Sequence, residues 1–66
     1  MTLTIEDRVE WLMKNQGELY GVLNDTILRR RIDDFMRDYI DSSFIGYKQR
    51  ETYLNRWLEI RKGYET

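Results

Sequence analysis

Residues 24–41 read NDTILRRRIDDFMRDYID, and how this stretch folds decides how the rest of the chain must pack. On a helix turning about 100° per residue, Leu28, Ile32, Phe35, Met36 and Tyr39 share one stripe. Arg29, Arg30, Asp33, Asp34, Arg37 and Asp41 fall on the opposite side, a cleaner separation than any other segment offers. Asn24 can cap this helix, with Leu23 and Leu28 placed around it as a hydrophobic staple. Its charge runs Arg29, Arg30 and Arg31 first, then Asp33, Asp34, Asp38 and Asp41. The macrodipole favours the reverse order, by about 0.3–1 kcal/mol per charge. Arg29, Asp33, Arg37 and Asp41 recur every four residues and Arg30 precedes Asp34 by the same interval, so the polar face satisfies much of its own charge. The polarity of the charge remains, and it suits pairing with another helix.

Two helices flank this one. The first is expected over 4–15, with Thr4 as N-cap, Asp7 three residues on in a capping box, and Glu6 and Asp7 where the dipole favours anions. Ile5, Val9, Leu12 and Met13 share its inner face, while Trp11 points more than about 90° away from it. Either a loop or the C-terminal tail covers this ring, or Trp11 is an anchor for a partner, a role for which tryptophan is enriched. Gly17 suits a left-handed helix end and Gly21 weakens helix beyond it, which predicts a short separate turn over 18–23. Ser42 and Ser43 interrupt the central helix near Asp41 and offer hydroxyls for the next cap, and 44–46 form the turn. The third helix is expected over 46–62, with Tyr47, Leu54 and Leu58 as its core stripe, Arg61 and Lys62 in its last turn and Gly63 as its stop. Its apolar sector spans about 160° once Tyr53, Trp57 and Ile60 are included, which implies a second surface.

The sequence therefore predicts an all-α fold over 1–66, a small three-helix bundle with a short extra turn, packed through Val9, Leu12, Leu28, Ile32, Phe35, Tyr39, Leu54 and Leu58 and completed by self-association. Sixty-six residues without cysteine or histidine have neither disulfides nor a conventional zinc site to support so small a core. The absence of proline allows unbroken helices, and a 41% apolar share beside 35% charge describes a packed domain with a solvated exterior. No apolar run approaches the roughly 20 residues that cross a bilayer, and Met1 to Asp7 lacks the features of a secretory signal. The expectation is a cytoplasmic protein.

Catalysis has little to draw on without an imidazole or a thiol, and no serine sits in a nucleophile-elbow context. No catalytic residue, cofactor or metal site is assigned; Asp34, Asp38 and Asp41 on adjacent turns of one helix do not make a cage. Two binding functions remain. An antiparallel hairpin of the second and third helices would gather Arg29, Arg30, Arg31, Arg61 and Lys62 into a basic pole on a chain of net charge −1. Such a pole can hold phosphates, which makes a nucleic-acid-binding domain the alternative reading. Asp33 and Asp34 lie only a turn away and oppose it.

The expected function is a non-catalytic, helix-mediated interaction module: an adaptor, inhibitor or regulator of a protein partner, acting as a homodimer. Its predicted contacts are Trp11, Tyr53, Trp57 and Ile60, with the basic pole contributing electrostatically. Nine aromatic residues are many for so small a core. Two antiparallel central helices would also set the arginine end of each against the aspartate end of the other. A competing account needs no second copy: the aspartate end meets Lys48 and Arg50 of the same chain.

Overall fold

The computed structural model describes residues 2–65. It is a bundle of three α-helices of 18 residues each, α1 (Ile5–Val22), α2 (Thr26–Ser43) and α3 (Tyr47–Tyr64), every one touching both others. Eighteen residues make a rod about 27 Å long. Connections of three residues force each helix back along its predecessor, so α1 and α3 run parallel and α2 antiparallel to both. No described helix is long and apolar enough to cross a membrane.

Local signals set most of the helix ends. Thr4 caps α1 as expected: its hydroxyl accepts from the Asp7 N–H, and the Asp7 carboxylate accepts from the Thr4 N–H. At α2 the cap lies one residue later than predicted. The Asp25 carboxylate accepts from the Ile27 and Leu28 amides, which places an anion at the positive end of the helix. Ser42 and Ser43 do not cap α3. Their hydroxyls donate to the Tyr39 carbonyl and close the end of α2 instead. Gly46 is the N-cap of α3, without a side-chain bond, and α3 runs through Gly63 to Tyr64.

The separate turn over 18–23 does not exist, because α1 continues through both glycines to Val22. These glycines are contact points with α3. A Cβ on Gly17 would lie 2.6 Å from Ile60 Cγ2, and one on Gly21 would lie 2.3 Å from the Tyr64 ring. The two sites should respond differently to alanine. Ile60 is β-branched and stiff, so Gly17→Ala should lose about 1 kcal/mol net, overpacking outweighing the helix-propensity gain. The Tyr64 ring sits on the last turn of α3 and can swing aside, so Gly21→Ala should stay within about 0.5 kcal/mol of the parent. Urea denaturation of both variants checks this, and equal losses would contradict it.

The core is Val9, Met13, Tyr20, Ile32, Met36, Ile40, Phe44, Tyr53 and Trp57, with Leu12, Leu23, Tyr39, Leu54 and Ile60 packed at its margin. Two rotational phases differ from expectation. In α2 the inward face is Ile32, Met36 and Ile40, about 60° round from the expected stripe, which leaves Leu28 and Phe35 substantially exposed. In α3 it is Tyr53 and Trp57 that turn inward, while Leu54 and Leu58 are only half-buried and Tyr47 is exposed. Both helices touch two neighbours at once, so each buries the face that bisects them. Phe44, in the α2–α3 connection, stacks on Tyr53 with ring centroids 4.7 Å apart and closes that end of the core.

Candidate interaction surface

The four predicted partner contacts do not form one patch. Trp57 is fully buried and Tyr53 is buried. Ile60 is half-buried against Gly17. Trp57 meets Tyr20 edge-on at 6.1 Å, and its Nε1–H donates to Asp33 Oδ1 at 2.8 Å. Trp57 and Tyr53 are thus spent inside the bundle and neither is available to a partner, while the rest of the α3 sector stays half-buried or, at Tyr47, exposed. Trp11 is different. It is 65% exposed, and no loop or tail among the described residues covers it.

The basic pole does assemble at one end, and Arg61 and Lys62 are the two of its five cations with an ion partner among the described residues. Arg61 Nη1 donates to Asp33 Oδ1 at 2.6 Å and Nη2 lies 3.7 Å from Glu65. Burial pushes the Arg61 guanidinium down, but its hydrogen bond to Asp33 and the charge of that carboxylate outweigh it and hold the group above its ordinary value. Its Nε is buried without a hydrogen-bond partner among the described residues. Arg29 Nε donates to the Tyr20 carbonyl at 3.1 Å, with the guanidinium over the Tyr20 ring. Lys62 lies 3.9 Å from Glu59. Arg30 and Arg31 stay exposed without an ion pair among the described residues. Two carboxylates, Asp33 and Glu65, therefore line the same cleft as Arg29, Arg30 and Arg61.

Tyr20 belongs to this cluster, its hydroxyl donating to Glu65 Oε1 at 2.7 Å. The bond to Glu65 and then burial raise the phenol above its ordinary value of 10.0, and burial does the same for Tyr53. A raised phenol contributes stability that is complete below the unfolded value and is lost as pH climbs through the folded one. Absorbance titration should therefore show Tyr20 and Tyr53 ionising late, with thermal stability falling above about pH 10. Tyr20→Phe should remove one late-titrating group.

At the other end of α2, Asp41 lies 3.7 Å from Arg50, so one aspartate meets the start of α3 within the chain. Of the intrahelical pairs expected in α2, Arg37 with Asp33 at 3.6 Å is the one that forms among the described residues, and it joins Arg37 to Asp33 rather than to Asp41.

Apolar residues also stand exposed elsewhere, among them Val22, Ile45 and Tyr47, and a further apolar surface lies along α1 and α2. Because α2 is rotated, Phe35 is 48% exposed and stands between two apolar grooves. One holds Leu3, Trp11, Leu12 and Tyr39 with Arg8 at its rim; the other holds Leu19, Leu23 and Leu28 with Arg31 at its rim. Tyr39 lies 6.1 Å from the Phe35 ring, tilted. Asn15 Nδ2 donates to the Trp11 carbonyl, one turn back, without covering the ring. The sequence marked Trp11 by its place off the inner stripe. Phe35, Leu19 and Leu28 escaped notice as surface residues because Phe35 and Leu28 fit a core stripe equally well. Among the described residues no three carboxylates converge into a metal-holding group. The chain matches no known family model, and comparisons with curated proteins and with solved structures find no match either.

Proposed function

We propose that this protein is a non-catalytic helical interaction module, an adaptor, inhibitor or regulator that works by seating an amphipathic helix of another chain on the α1/α2 face. The observation that carries this reading is Trp11, 65% exposed beside the half-exposed Phe35 on a continuous apolar strip. Tryptophan and neighbouring apolar grooves are the usual makings of an interface centre. Arg31 and Asp38 stand exposed on either side of Phe35 with no ion partner among the described residues. They can orient an incoming helix by its charges. The absence of histidine and cysteine supports a non-catalytic role and suits a reducing compartment such as the cytoplasm. Nucleic-acid binding at the basic pole has less support, since Asp33 and Glu65 occupy its centre.

The test is affinity capture from native extract with the parent and with Trp11→Ala, each with and without nuclease. Trp11 is 65% exposed, so its loss should leave the bundle folded, and circular dichroism of the variant separates an effect on binding from one on stability. Capture of a defined protein, lost in Trp11→Ala and indifferent to nuclease, is expected. Capture abolished by nuclease would favour the basic pole, and capture unchanged in Trp11→Ala would remove this face from the account.

A further inference from the structure

A surface that binds its own copy must be complementary to itself under a two-fold rotation. The α1/α2 face meets that condition in two independent respects. Its shape is one. Trp11 projects beside the C-terminal half of α2, near Phe35 and Tyr39, and the groove of Leu19, Leu23 and Leu28 opens beside the N-terminal half. Phe35 borders both. A two-fold axis near Phe35 turns each half onto the other and sets the Trp11 of one copy over the groove of the next. Charge is the second respect. Arg31 is one turn before Phe35 and Asp38 one turn after it, on the same outer side of the helix. The same rotation opposes Arg31 to Asp38 of the partner subunit at both ends of the contact. Neither residue has an ion pair within its own chain among the described residues.

We propose that the α1/α2 face seats a second copy of this chain, antiparallel across a two-fold axis at Phe35, with Trp11 entering the partner's Leu19–Leu28 groove and Arg31 meeting Asp38 of the partner subunit. This rests on the interaction reading above and names its partner. A standard interface takes about 800 Å² from each partner, which is about one sixth of the 5112 Å² surface. Docking would also supply apolar cover that a domain of this size lacks alone.

Sedimentation of Arg31→Asp, Asp38→Arg and their equimolar mixture tests the arrangement. Both sites are exposed, so the variants should keep the parent's circular dichroism. The parent should dimerise between low micromolar and near-millimolar concentration. Each variant alone opposes like charges at both ends and should associate at least about tenfold more weakly. In the mixture every opposed pair is Asp against Arg, and a heterodimer should form with about the parent's affinity. A parent that stays monomeric, or a dimer indifferent to both reversals, or a mixture no tighter than its components, would overturn the proposal. A monomer that still captures another protein through Trp11 would overturn this partner alone, and loss of Trp11-dependent capture as well would overturn the interaction reading.

Discussion

Replacing Trp57 with alanine is expected to unfold the protein at room temperature. The side chain is fully buried at the meeting point of all three helices, edge-on to Tyr20 of α1 and hydrogen-bonded to Asp33 of α2. Truncating a buried tryptophan costs about 3–5 kcal/mol. A single core in a chain of this length rarely supplies more than about 3–5 kcal/mol, so the loss consumes essentially all of it. Loss of the far-UV helical signal is the expected observation. Trp57→Phe separates volume from polarity. It keeps most of the apolar bulk but leaves the Asp33 oxygen one donor short, and should cost about 1–3 kcal/mol without unfolding. A folded, cooperative Trp57→Ala would show that the bundle does not depend on this ring.

The second large effect is expected at Asp33. This carboxylate accepts from Trp57 Nε1 and from Arg61 Nη1 through the same oxygen, with Arg37 3.6 Å away. Its side chain is 17% exposed and that of Arg61 20%, so solvent screens the ion pair little. Asp33→Ala strands an indole N–H and leaves a largely buried guanidinium with only the more distant Glu65, and should cost about 3 kcal/mol by urea midpoint. Asp33→Asn retains an acceptor for the indole and should lose less. Arg37→Ala, which removes only the exposed partner, should change stability by less than about 0.5 kcal/mol. Equal effects of Asp33→Ala and Arg37→Ala would mean that the cluster is a surface network and not a brace between α2 and α3.

These two residues also show what a sequence can and cannot disclose here. Three helices were legible because apolar periodicity is a local property, and the Thr4–Asp7 box because it closes within one turn. The phase of each helix was not. Around α3, Leu54 and Leu58 form as good a stripe as Tyr53 and Trp57. The choice between them rests on residues of other helices: Asp33 gives Trp57 a hydrogen bond, and Gly17 gives its neighbour Ile60 room. Gly17 and Gly21 looked like breaks because their helix propensity is low, whereas their small size serves a close approach to α3 that no local pattern encodes. The same ambiguity assigned Phe35 to the core. In the candidate site, Trp11 was legible because no rotation of α1 that buries Val9 and Met13 also buries it, and Arg31 was legible only as part of the basic pole.

The two tryptophans make the central claim directly measurable, since one is fully buried and the other 65% exposed. Fluorine NMR of protein labelled with 5-fluorotryptophan should give one resonance from each. As concentration rises, the Trp11 resonance should shift or broaden while that of Trp57 stays in place, and Arg31→Asp should suppress the change. Two resonances that remain fixed up to near-millimolar concentration would contradict a self-complementary α1/α2 face.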